Sequence, residues 1–146
     1  MTVKIRNARA SDAEECAEIF IKGSKGTFNE LWSKEDARKY LSEDLSHCKI
    51  RLCAADGKDI LGFVIAYKFQ WHDGERYAIK EIFVKNGYRG KGIGTALIEA
   101  VEKQAIEAKA STVELMTSKD AEAFKFYEKR GFRQNDFVFM EKKLNC

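Results

Sequence analysis

The stretch Val84-Lys85-Asn86-Gly87-Tyr88-Arg89-Gly90-Lys91-Gly92-Ile93-Gly94-Thr95 carries the clearest chemical signal in the chain. A strand-like run ends at Val84, Asn86-Gly87 is a turn dipeptide, and three alternating glycines open a helical pattern. Glycine lets backbone come close to a ligand, and the free N–H groups at a helix start carry partial positive charge. Arg89 and Lys91 add two cations, so the expected guest is a phosphate or pyrophosphate. The spacing excludes two common nucleotide loops. A dinucleotide fingerprint starting at Gly90 needs glycine at 95, where Thr95 stands. A P-loop starting at Gly87 needs lysine at 93, where Ile93 stands. A turn that only lets helix and sheet pack closely is the bland alternative, and the flanking cations weigh against it.

Other residues could do proton chemistry. Glu81 alternates with Ile79 and Phe83, an odd position for a carboxylate unless that face meets a cleft. It reads as a general base or as a salt-bridged strand residue. Tyr127 lies in a helical pattern, as a proton donor or as a core aromatic with a surface hydroxyl. Phe28 and Trp32, and the segment Trp71-His72-Asp73-Gly74-Glu75, mix aromatics with carboxylates. That mixture suits a cationic amine, and plain packing would use the same residues. Cys16, Cys48, Cys53 and Cys146 form no CxxC, and His47 and His72 keep no metal-ligand spacing. Free thiols and no metal site are expected.

The elements that must position these residues follow from periodicity. Val3–Arg6 reads as a strand. Ser11-Asp12, with Glu14 at capping-box distance from Ser11, starts a helix that Gly23 and Gly26 are expected to stop. Ser33 with Asp36 starts a second helix running toward Leu45. Ile50–Ala54 alternates, Asp56-Gly57 turns the chain, and Ile60–Phe69 is apolar at nearly every position, as in a strand covered on both faces. His72-Asp73-Gly74 makes a second hairpin into Tyr77–Val84. Ile93–Ala108 is a long helix, Thr112–Thr117 a strand, Asp120–Arg130 a helix and Phe137–Lys143 a last strand. Hairpins first and helical crossovers later imply a mixed sheet with helices on both faces.

Composition bounds the rest. The 146 residues are 45% hydrophobic and 34% charged, with net charge +3 from 26 basic and 23 acidic residues. That is one domain of ordinary globular composition, without the charge excess of a nucleic-acid binder. No apolar run approaches the roughly 20 residues of a membrane helix, and Met1–Arg6 has no apolar leader core. The expectation is therefore a cytoplasmic protein with no nucleic-acid or membrane partner.

The pattern Arg89-x-x-Gly92-x-Gly94 resembles the acyl-CoA-binding signature Q/R-x-x-G-x-G/A of the GNAT N-acetyltransferase superfamily. Ala123-Phe124-Lys125-Phe126-Tyr127-Glu128-Lys129-Arg130-Gly131-Phe132 is similar to the family's A…FYEKxGF helix. The strand Lys80-Glu81-Ile82-Phe83-Val84 completes the set, and the element order matches too, so the resemblance spans residues 1–146 as one domain. It implies a single-domain α/β fold whose mixed, mostly antiparallel central sheet splays between the strand ending at Val84 and Thr112–Thr117. It implies acetyl-CoA as co-substrate and no metal. The pantetheine arm would lie on the backbone of Ile82, Phe83 and Val84. The pyrophosphate would sit on Arg89, Gly90, Lys91, Gly92, Ile93, Gly94 and Thr95. Asp120 to Ala123 would flank the pantetheine. Many relatives carry Asn where Asp120 stands and proline where Asn86-Gly87 occurs.

The reaction implied is acetyl transfer to a primary amine by direct attack in a ternary complex. A polyamine, an aminoglycoside or a protein amine would each serve as acceptor. Glu81 would be the base and Tyr127 the acid for the departing thiolate. Two other readings keep the donor loop: a non-catalytic acyl-CoA-sensing module, and an acyltransferase using a different acyl donor. Relatives often pair through the last strand, which implies a homodimer through Phe137–Met140.

Overall fold

The apolar run that begins at Ile60 forms the middle strand of the sheet. A computed structural model describes residues 1–119 and 122–145 and divides into two compact units, Met1–Met116 and Thr117–Cys146. In the first unit, β1 (Lys4–Asn7), β2 (Ile50–Asp56), β3 (Asp59–Trp71), β4 (Gly74–Val84) and β5 (Thr112–Leu115) form one sheet in that order. Neighbours are antiparallel except β4 and β5, which run parallel. The helices are α1 (Ala13–Phe28), α2 (Lys34–His47) and α3 (Ile93–Glu107).

Because Ile60–Ala66 of β3 are covered on both faces, they feed two cores, whereas Tyr67 and Lys68 of the expected Ile60–Phe69 run are exposed. Phe63 and Ile65 join Phe20 of α1 and Leu41 of α2 on one face. Val64 and Ala66 join Leu97 and Val101 of α3 on the other. The mixed sheet with helices on both faces is as the sequence predicts. The hairpin turns also fall where the sequence puts them, with Gly57 (φ 60°) and Gly74 (φ 127°) in backbone regions that favour glycine.

Three local expectations are revised. Gly23 and Gly26 do not stop α1; the helix runs through both to Phe28 and ends at Asn29, which takes φ 55°. Burial of Cys16, Ala17, Ile19 and Phe20 along one stripe outweighs the glycine cost of about 1 kcal/mol each. The helix start is not a Ser11–Glu14 box. A single 3-10 turn (Ala10–Asp12) precedes it, and Asp12 accepts the Arg9 N–H at 2.7 Å and the Arg6 guanidinium at 2.8 and 2.9 Å. The Arg6 hydrogen bonds hold the Asp12 carboxyl below its usual range. By contrast, Ser33 Oγ accepts the Asp36 N–H at 3.0 Å, the cap expected for α2.

The third revision concerns β4. Ile65 pairs with Glu81, yet the next residue, Ala66, pairs with Ile79, leaving Lys80 as an extra residue in a β-bulge. The bulge breaks the alternation expected of Ile79, Glu81 and Phe83. Ile79 packs in the α3 core and Phe83 in the α1–α2 core.

In the second unit, α4 (Glu122–Lys129) ends in a tight C-terminal turn. The Arg130 and Phe132 N–H groups donate to Tyr127 O, and Gly131 takes φ 90°. The strand expected at Phe137–Lys143 is absent. Those residues form no ladder, and Phe137, Val138, Phe139 and Met140 are exposed. An apolar run becomes a strand only with an edge to pair with. No helix among the described residues is long and apolar enough to cross a membrane.

Candidate active site

The edge of β4 sets the geometry. β4 pairs with β3 through Val84, but with β5 only from Arg76 to Ile79. Beyond Ile79 the two strands part, and the β5-side edge of Lys80–Val84 has no ladder partner among the described residues. This is the splay that the resemblance implies. The Lys85 N–H donates to Leu61 O of β3 at 2.8 Å. The two-residue period of an antiparallel ladder then turns the backbone of Ile82 and Val84 toward the open edge. Phe83 differs: its backbone faces β3 and its ring is in the α1–α2 core.

The glycine turn follows at once. Tyr88 N–H donates to Lys85 O at 3.0 Å, closing the turn through Asn86 and Gly87. Gly87, Gly90 and Gly92 have φ of 87°, 75° and 80°, and a Cβ added at any of them would meet nothing within 4 Å. These glycines are therefore needed for backbone conformation and not to let the chain's own helix and sheet approach. Gly92 is the N-cap of α3, with no side-chain cap and no acidic residue in the first turn. The opening N–H groups of a helix have no partner inside it. Here Arg89 and Lys91, both exposed, stand just before them. Ile93 is buried against the sheet, while Gly94 and Thr95 are half-buried in the first turn.

Glu81 lies across β4 from this edge and meets α2. The Tyr40 hydroxyl donates to Glu81 Oε1 at 3.2 Å. Burial pushes the Glu81 carboxyl up to about 7. The Tyr40 hydrogen bond opposes that rise, Glu30 reinforces it, Lys80 opposes it and Asp44 reinforces it. The Tyr40 ring stands 5.0 Å from Trp32 and 5.6 Å from Phe20, and Lys80 Nζ lies 4.7 Å over it while pairing with Asp44 at 2.7 Å. Trp32 Nε1 donates to Glu30 Oε1 at 3.1 Å.

Of the two acceptor walls expected from the sequence, only the one containing Trp32 lies near Glu81. The hairpin at Trp71–Glu75 is seven residues back along β4, roughly 20 Å away. Its carboxylates are occupied: Asp73 pairs with Arg76 at 3.1 Å and Glu75 with Lys68 at 3.4 Å. Phe28 is partly exposed near the end of α1. Tyr40 was not singled out from the sequence. Its signal was a hydroxyl half-buried on the helix stripe that buries Ala37 and Leu41, where a phenol needs a partner.

Tyr127 is half-buried on α4, with Phe126 and Phe132 rings at 5.4 and 5.8 Å. Burial pushes its phenol up to about 12, so it is protonated at neutral pH. Ala123 is half-buried on the same helix, and Asp120 lies outside the described residues. Among the described residues, no group of three or more His, Cys, Asp or Glu could hold a metal ion.

Comparison with known proteins gives a consistent result. An N-acetyltransferase of Methanocaldococcus jannaschii, itself uncharacterised, is 31% identical over 145 residues, covering 94% of this chain and 63% of that protein. The chain thus spans less than two thirds of that relative's length. An uncharacterised N-acetyltransferase of Archaeoglobus fulgidus is 27% identical over 139 residues, 90% of this chain and 94% of its own. A possible acetyltransferase from Clostridium difficile 630 superposes with TM-score 0.85 at 17% identity, covering 100% of both chains. A ribosomal-protein-alanine N-acetyltransferase from Brucella melitensis biovar Abortus 2308 gives 0.76 at 21%, covering 99% and 100%. These structural likenesses show the α/β fold. The model of the Acetyltransferase (GNAT) family matches residues 13–132. With a splayed sheet, a left-handed glycine turn at a helix start and that match over most of its length, the chain belongs to the GNAT acetyltransferase family.

Proposed function

We propose that the chain, taken over residues 1–146 as one domain, is an acetyl-CoA-dependent N-acetyltransferase acting on a primary amine. The observation that carries this reading is the release of the Lys80–Val84 edge from β5, next to an uncapped glycine turn. An amide-bearing arm can pair with the open backbone of Ile82 and Val84 as an added strand would. The N–H groups and cations from Arg89 to Thr95 suit a pyrophosphate.

The chemistry follows from the groups present. An alkyl ammonium has a pKa of about 10, so a base must take a proton before attack. Glu81, with its carboxyl near 7, is that base in this reading. The amine lone pair then attacks the thioester carbonyl carbon, and the C=O electrons move onto oxygen. A backbone N–H on the open edge, at Ile82 or Val84, stabilises the oxyanion. Collapse breaks the C–S bond, Tyr127 protonates the departing thiolate, and the second N–H proton of the new amide is released to restore the neutral phenol.

Thiol release from acetyl-CoA with a panel of polyamines, aminoglycosides and peptide amines tests this. Amine-dependent release with formation of the acetylamide is expected. Binding of CoA without turnover on any amine would favour a sensing module, and faster turnover of a longer acyl-CoA a different donor. We propose cytoplasmic residence, in keeping with the unlinked thiols of Cys16 and Cys53, 3.9 Å apart. We also propose a homodimer through the exposed Phe137–Met140 segment. Sedimentation as a monomer well above micromolar concentration would remove the dimer.

A further inference from the structure

The Tyr40–Glu81 hydrogen bond joins two residues 41 positions apart in the chain. The ring of Tyr40 has little freedom. Trp32 and Phe20 stand 5.0 and 5.6 Å from it, tilted by 34° and 31°. Lys80 Nζ lies 4.7 Å over it and is itself held by Asp44. A hydroxyl on a ring packed this way has a fixed direction, and that direction meets Glu81 Oε1. Among the described residues, the other carboxylate oxygen of Glu81 has no hydrogen-bond partner.

We propose that Tyr40 is a positioning residue: its hydroxyl holds one oxygen of the Glu81 carboxylate and leaves the other to take the proton of the incoming amine. The proposal rests on the reading of Glu81 as the base. Four groups from three elements face that carboxylate: Tyr40 and Asp44 of α2, Glu30 of the α1–α2 connection, and Lys80 of β4. Asp44 and Glu30 repel the charged form, and Lys80, paired with Asp44, favours it. Tyr40 is the group bonded directly to the carboxylate. A donor to a carboxylate favours the ionised, proton-accepting form and opposes the effect of burial. A base fixed in orientation also spends more of its time in geometry suited to proton transfer.

Tyr40→Phe removes the hydroxyl and keeps the ring. Two readouts are taken. The first is the titration of the Glu81 side-chain carboxyl by 13C NMR in the unliganded protein, its signal assigned by loss in Glu81→Gln. The second is the pH dependence of kcat/KM with acetyl-CoA and the best amine of the thiol-release panel. The carboxyl midpoint is expected to rise by about one pH unit, the scale of a lost hydrogen bond to a charged group. The acid limb of the rate profile moves up with it. At pH 7 activity falls about fivefold and recovers above pH 9. Replacing Tyr40 with 3-fluorotyrosine makes the phenol a stronger donor without changing the packing, and moves the midpoint down. A midpoint unchanged in both proteins overturns the proposal. A midpoint that moves while the acid limb stays in place keeps the Tyr40–Glu81 coupling and overturns Glu81 as the base.

Discussion

Gly23 of α1 sits directly against Phe83 of β4: a Cβ added at Gly23 would lie 2.3 Å from Cδ1 and 2.8 Å from Cε1 of that ring. Phe83 is buried among Phe20 and Phe63, so the ring has nowhere to retreat. Gly26, one turn on, has nothing within 4 Å of the same added atom.

The two glycines should therefore respond in opposite ways to alanine. Gly23→Ala gains about 1 kcal/mol of helix propensity and loses about 1–3 kcal/mol to overpacking, so it destabilises and lowers Tm by several degrees. Gly26→Ala has only the first effect and should stabilise by about 0.5–1 kcal/mol. Thermal melts of the two variants check both signs, and a stabilised Gly23→Ala would contradict the close packing.

At the donor turn, Gly92→Val puts a branched side chain where φ is 80° and an added Cβ would meet nothing within 4 Å. The strain is about 1–2 kcal/mol, small enough for the protein to fold. The backbone can no longer hold its left-handed turn under a pyrophosphate, and CoA affinity measured by calorimetry should fall by at least about tenfold. An unchanged Kd in a folded variant would move the donor site elsewhere.

Tyr127→Phe keeps the ring packed beside Phe126 and Phe132 and removes the hydroxyl. If that hydroxyl protonates the thiolate, kcat falls by about 10²–10⁴ while the KM for acetyl-CoA changes little. Unaltered kcat with a drop in Tm would make it a structural hydroxyl.

Stability should also carry the signature of Glu81. Its carboxyl is raised to about 7 in the folded protein from an unfolded value of 4.5. The folded state thus favours the proton, and the contribution of Glu81 is fully present below about pH 4.5. It is lost as pH rises through 7. Glu81→Gln keeps an oxygen that can accept from Tyr40 and cannot ionise, so it should stabilise the protein above pH 7 by about 2 kcal/mol and not at pH 4. Denaturant melts at both pH values decide this, and equal effects at the two would show that Glu81 is not raised.

The donor side was legible because its information is local. Asn86-Gly87, three alternating glycines and two cations specify a turn, a left-handed backbone and an anion-binding helix start within ten residues, whatever packs around them. The strand from Ile60 was equally readable, and its burial on both faces holds from Ile60 to Ala66, while Tyr67 and Lys68 beyond it are exposed.

Non-local choices were not readable. One extra residue at Lys80 sends Ile79 and Glu81 to opposite faces, and periodicity carries no mark of a bulge that exists only in the pairing with β3. Gly23 looks like a helix stop until Phe83 is seen against it. The apolar run Phe137–Met140 looks like a strand, but a strand needs an edge, and the chain alone does not say where one is offered. The partner of Glu81 is the same kind of fact. Sequence supplied a carboxylate and a phenol 41 positions apart, and only the packing of α2 on the sheet brought them to 3.2 Å, because a contact between distant residues is fixed by the tertiary arrangement of their elements and not by the elements themselves.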